Sequence, residues 1–184
     1  CAPQPMSAAS AALSVTGEAV YQAAGRDDLP AVAKLLAAGA PVDYRDSARR
    51  TALMFAALGG PTEMLRLLLD HGAEIEARSE EDVTALVMAA QYGNSDAVRV
   101  LIERGADVET RSEEGKTPVM WAAASESLDV LIQLLQHGAD ADATDKEGQT
   151  AEMQCEHPGC LDALRNAERM QRWHRRRPLL VWRR

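Results

Sequence analysis

Residues 84–106 read TALVMAAQYGNSDAVRVLIERGA, and their order spells two short helices joined by a turn. Thr84 stands where a hydroxyl can accept a backbone N–H and start the first helix. Ala89-Ala90 gives that helix a surface small enough for a neighbour to approach closely. From Asp96 to Arg104, apolar residues fall at helical spacing, which predicts a second, one-sided helix. Gly105 then supplies the left-handed terminus at which such a helix stops. Ala106-Asp107-Val108-Glu109-Thr110-Arg111 continues as an extended finger, and Ser112-Glu113-Glu114-Gly115 turns it toward another Thr.

The same stretch recurs. Gly105-Ala106 is preceded by Gly39-Ala40 and Gly72-Ala73 and followed by Gly138-Ala139, each 33 residues from the last. Leu35-Leu36, Leu68-Leu69, Leu101-Ile102 and Leu134-Leu135 keep that step, as do Thr51, Thr84, Thr117 and Thr150. Ala23-Ala24, Ala56-Ala57, Ala89-Ala90 and Ala122-Ala123 keep it too. A fixed period in several columns specifies stacked units, each unable to bury its apolar face alone. This pattern of Thr, Ala pair, apolar pair and Gly-Ala resembles the ankyrin repeat. The resemblance implies an all-α solenoid of about five helix-turn-helix units with short β-turn fingers: residues 17–47, 48–80, 81–113, 114–146 and 147–171. The chain then divides into an N-terminal tether (1–15), the repeat domain (16–171) and a basic C-terminal tail (172–184).

Two departures from the family pattern stand out. Its Thr-Pro-Leu-His tetrad reads Thr51-Ala52-Leu53-Met54, Thr84-Ala85-Leu86-Val87 and Thr117-Pro118-Val119-Met120, so the hydrogen bonds of the family His are not expected. Glu126 takes the place held by Gly60 and Gly93, which predicts a less regular fourth hairpin.

Composition agrees with this fold. Apolar residues make up 46% and charged residues 26%, which excludes wholesale disorder, and aromatics at 4% disfavour a β-sandwich. No stretch approaches the roughly 18–20 apolar residues of a spanning helix. The charge of -8 is uneven: residues 1–164 carry a net -15, and residues 165–184 carry eight Arg against one Glu.

In the family, partners bind the concave face formed by inner helices and fingers. The column ahead of the Ala pair reads Gln22, Phe55, Met88, Trp121 and Gln154, and Leu58 and Tyr92 extend it. Phe55, Met88 and Trp121 there form either a binding stripe, extended by Leu58 and Tyr92, or side chains leaning into neighbouring repeats as core. Arg45, Arg78 and Arg111 recur at the fingers at the same 33-residue step, beside acids. They either fix a partner's register or pair locally on a solvated surface, while the acidic rim steers a basic partner.

Cys1-Ala2-Pro3 and the small, polar residues that follow resemble the start of mature bacterial lipoproteins. That resemblance implies lipid attachment at Cys1, a membrane anchor, and a periplasmic location at the outer membrane. Cys155 and Cys160 remain as a pair, read as a disulfide across Pro158-Gly159 or as two buried thiols; Cys155, His157 and Cys160 lack a fourth ligand for zinc. His71 and His137 precede the cap glycines and read as helix-end caps. Neither a catalytic constellation nor a phosphate loop stands out, so no enzyme, cofactor or metal is expected. The tail's arginines either cover the last unit or touch anionic lipid; nucleic acid is not an expected partner. The whole reads as a monomeric interaction module holding one protein partner. Its sharper form is an immunity protein blocking a periplasm-acting toxin; the alternative is an envelope scaffold or adaptor.

Overall fold

The computed structural model describes residues 16–167. Inner helices α1 (Gly17–Ala24), α3 (Ala52–Gly59), α5 (Ala85–Gln91) and α7 (Pro118–Ala124) alternate with outer helices α2 (Leu29–Ala37), α4 (Thr62–Asp70), α6 (Ser95–Glu103) and α8 (Leu128–Gln136). Each inner helix packs on the next inner helix and on the outer helix that follows it; the outer helices pack in their own row. The fold is an all-α repeat solenoid, and among the described residues extended pairing is confined to one bridge, Thr144 with Thr150.

The sequence dictates this layering. In α6, Ala97, Val98, Val100 and Leu101 are buried while Asp96, Arg99 and Glu103 face out, so one stripe is committed inward. Inner helices α3 and α5 are buried on more than one side because each lies between two other inner helices. Ala56, Ala57, Ala89, Ala90, Ala122 and Ala123 are 0% exposed, and a larger side chain in this column would hold the helices apart. At the family's His position, Met54, Val87 and Met120 are 0% exposed. Apolar packing replaces the imidazole hydrogen bonds there.

The helix termini follow the sequence closely. Thr51 and Thr84 accept from the N–H groups of Met54 and Val87, both at 3.4 Å. Thr117 makes no such cap; Pro118 opens α7 instead, its fixed φ suited to a first helical residue. Gly39, Gly72, Gly105 and Gly138 take φ between +82° and +91°, as their cap role requires. His71 and His137 turn Nδ1 back to the carbonyls of Leu67 and Gln133, at 2.9 and 2.8 Å.

The hairpin turns correct one expectation. Glu126 adopts φ +54°, close to the +69° of Gly93, and the fourth hairpin keeps the same pair of turn hydrogen bonds as the third. The irregular turn is the second, where Gly60 lies at φ -69° and Pro61 follows in an extended conformation. Pro61 restricts Gly60 to the extended region, so this turn departs from the left-handed geometry of the first, third and fourth. Because a side chain at φ +54° is strained, Glu126→Gly is expected to raise stability by up to about 1 kcal/mol in urea unfolding.

The fifth unit is shortened. Its inner element shrinks to a 3₁₀ turn, Glu152–Gln154, and helix resumes at residues 158–167. Pro158 is the cause: it favours a first helical position and holds His157 extended, so the outer helix starts three residues ahead of the register set by α8. His157 caps that helix, Nδ1 accepting from the Gly159 N–H at 3.1 Å.

The disulfide expected in this turn is not formed: Cys155 and Cys160 are buried free thiols. The Cys155 thiol lies 3.4 Å from the His157 carbonyl, to which it donates. Burial, then the neighbouring Cys155 thiol, pushes Cys160 up to about 11, suppressing the thiolate that disulfide chemistry needs.

Candidate functional site

The concave face is built from the fingers inward. One column, Asp46, Ser79, Ser112 and Asp145, sits at the start of each turn with the 33-residue step. Asp46 Oδ1 accepts from the N–H groups of Ala48 (2.9 Å) and Arg50 (2.8 Å). Ser79 Oγ accepts from Glu81 and Val83 at 3.3 and 3.2 Å, and Asp145 Oδ1 from Glu147 and Gln149, both at 2.9 Å. A short side-chain acceptor thus closes each of these three turns on itself. In the third, Gly115 at φ +79° supplies the tight bend, and Ser112 Oγ has no partner among the described residues.

Successive fingers are then joined. The N–H groups of Glu80, Glu113 and Lys146 donate to the carbonyls of Ala48, Glu81 and Glu114 at 3.0, 2.9 and 3.1 Å. Carboxylates of Asp43, Glu76 and Glu109 accept from the N–H groups of Glu74, Asp107 and Asp140 in the next unit at 2.9, 2.9 and 2.7 Å. The arginine column belongs to this framework. Arg78 donates to the Arg111 carbonyl at 2.9 Å and Arg111 to the Thr144 carbonyl at 2.8 Å, while Arg45 pairs with Glu74 at 2.9 Å. These three arginines, read from the sequence as partner contacts or as local pairs, each bond to the following repeat of their own chain.

Between the first two complete fingers and α3 and α5 lies a groove of about 270 Å³. Its apolar floor contains Phe55, Leu58, Val83, Met88 and Tyr92, and its rim contains Arg50, Glu80 and Glu81. Phe55, Leu58 and Met88 are half-buried, and Tyr92 is 63% exposed. The structure therefore brings together four of the five apolar residues anticipated from the columns. Trp121 is not among the residues lining the groove. It is half-buried one unit further on, against the core, with the Lys116 ammonium 4.9 Å from its ring centroid. Met88 also packs against the core, yet its unit leaves an apolar floor open.

A polar cluster at one end of the groove was not anticipated. Tyr21, on α1, donates its hydroxyl to Asp46 Oδ2, and Arg50 donates Nε and Nη2 to the same oxygen at 2.9 and 2.8 Å. Phe55 packs edge-on against Tyr21, with centroids 5.1 Å apart, and the Arg50 guanidinium lies 5.4 Å from the Phe55 centroid. Burial alone would raise the Asp46 pKa, but hydrogen bonds from Tyr21, Arg50 and the backbone overcome it and hold the carboxyl near 2. Burial and the adjacent carboxylate push the Tyr21 hydroxyl up to about 12. Arg50 is thereby fixed as a groove wall. The signal was the finger-turn column itself, hidden because it holds Asp in two units and Ser in the other two.

Cys1 and residues 172–184 lie outside the described residues. Among the described residues no cluster of His, Cys, Asp and Glu is arranged to hold a metal ion.

A family model described as ankyrin repeats (3 copies) matches residues 20–112 and 105–167. No curated protein matches the sequence.

Proposed function

Because the chain belongs to the ankyrin-repeat family, whose members are generally non-catalytic scaffolds for protein–protein interaction, we propose that it holds one protein partner through the groove floored by Phe55, Leu58, Met88 and Tyr92. The observation that carries this is the exposure of Tyr92 beside half-buried Phe55, Leu58 and Met88. Apolar side chains grouped in one concavity gain by being covered, and a partner covers them. Trp121, half-buried one unit further on, extends the surface by one unit.

The finer reading is an exported protein, held at the periplasmic side of the outer membrane through a lipid on Cys1 and serving there as an immunity protein against a periplasm-acting toxin. Its support is the likeness of the Cys1-Ala2-Pro3 stretch to lipoproteins and the acidic charge of the repeat region, which suits a basic enzyme partner.

The groove is tested by measuring partner affinity for the wild type and for Leu58→Ser/Tyr92→Ser, two positions with solvent-facing surface. The variant is expected to bind at least about tenfold more weakly. Undiminished affinity would move the partner off this face. The immunity reading predicts that a deletion strain is killed by toxin-delivering neighbours; a resistant deletion strain would leave the envelope scaffold instead. The intact mass of the protein from the envelope reads out the lipid.

A further inference from the structure

We propose that, in the absence of a partner, the groove is occupied by the chain's own arginine-rich segment, residues 172–184. This rests on the reading of the groove as the partner site and adds its regulation.

Charge is the first argument. The described residues 16–167 carry 13 Lys+Arg and 27 Asp+Glu, whereas residues 168–184 carry seven Arg and one Glu. Most arginines of the repeat region are already engaged, as Arg45, Arg50, Arg78 and Arg111 show. On the groove side, Glu80 and Glu81 at the rim and Glu113 on the next finger are exposed, and among the described residues none forms an ion pair. The cations that would neutralise this rim are concentrated in one place, the C-terminal segment.

Chemistry is the second. Arg172-Trp173-His174-Arg175-Arg176-Arg177 interleaves cations with an aromatic ring, and Leu179, Leu180 and Trp182 follow. The groove offers the complement, an apolar floor under an acidic rim. Guanidinium groups meet the glutamates while the apolar side chains cover Leu58, Met88 and Tyr92.

Reach is the third. Helical residues 158–167 correspond to α8, whose C-terminal end leads into a finger, so the chain leaves the last unit on the finger side. From there to the groove is two to three inter-helix spacings, about 30 Å. The seventeen residues 168–184 span up to about 55 Å; about nine of them cross that distance, which leaves Arg177, Leu179, Leu180, Trp182, Arg183 and Arg184 to lie in the groove. A segment tethered this closely acts at an effective concentration on the order of millimolar, so a weak contact suffices to fill the groove and a tighter partner displaces it.

The test uses the full chain with photoreactive p-benzoylphenylalanine at Leu58, irradiated at low salt and mapped by mass spectrometry. Cross-links to residues 172–184 are expected. Their yield should fall at least about fivefold in Glu80→Lys/Glu81→Lys and at high salt. Should that variant lose its helical circular dichroism, Glu80→Gln/Glu81→Gln serves in its place. Three results overturn the proposal: a reactive probe that never joins residues 172–184, a yield indifferent to the rim charges, or cross-links that run only between isotopically distinct copies. The last makes a second copy the occupant. Loss of partner affinity in Leu58→Ser/Tyr92→Ser with no tail cross-link removes self-occupation and keeps the partner site. Tail cross-links with undiminished partner affinity remove the partner site instead.

Discussion

Ala89→Leu is expected to destabilise the protein by about 3 kcal/mol, read as a lowered urea midpoint at unchanged slope. Ala89 is fully buried in α5, which packs against α3 on one side and α7 on the other. Three added carbon atoms have no void to enter, so the helices separate or neighbouring side chains leave their rotamers. In a stack whose stability is summed over neighbouring joints, a wedge in the middle unit loosens two joints at once. The adjacent position is the control. Met88 is half-buried in the groove, so Met88→Leu is expected to cost less than about 1.5 kcal/mol. Equal effects at the two positions would mean that the inner helices are not spaced by their alanines.

Asp46→Ala is the second large effect, expected to cost about 2–3 kcal/mol and to flatten the acid side of the stability profile. Asp46, whose side chain is 13% exposed, accepts from Tyr21, from Arg50 side chain and backbone, and from the Ala48 N–H. Its removal leaves those donors unsatisfied together. The folded carboxyl titrates near 2, below its ordinary value of 3.8, so its contribution is complete above about pH 4 and is lost as pH falls through about 2. The wild type should lose about 2 kcal/mol across that interval through this group, and Asp46→Ala should not. At the other end, the Tyr21 hydroxyl titrates near 12, so its share is present below pH 10 and is lost as pH rises through 12. Acid unfolding curves of the two proteins that stay parallel down to pH 2 would contradict the Asp46 assignment.

The period, the helix pairs and the glycine caps are legible in the sequence because each rests on one residue type repeated in one column. The apolar half of the groove is legible for the same reason, since a large residue next to an Ala pair has few places to go. What escapes is chemistry shared between unlike residues. Asp46, Ser79 and Asp145 do one job with two functional groups, so no identity marks their column. The arginines are the opposite case: identity marks them, but whether a guanidinium finds a partner protein or the Arg111 carbonyl of the next repeat depends on distances that spacing alone does not fix. Glu126 misleads because a turn can impose a left-handed backbone on a residue that disfavours it when the flanking hydrogen bonds hold.

The fingers carry one more consequence. The links from Glu80, Glu113 and Lys146, and those from Arg78 and Arg111, each reach a residue 32 or 33 positions away in sequence. A genetic change that removes residues 81–113 as a block would set Glu114 where Glu81 had been and offer Arg78 the carbonyl of Thr144. Every seam would close with the same kinds of atoms. The array is thus a ruler that can be shortened or lengthened only by whole divisions, and length, hence the breadth of the surface it presents, becomes something that recombination can vary without redesigning a single joint.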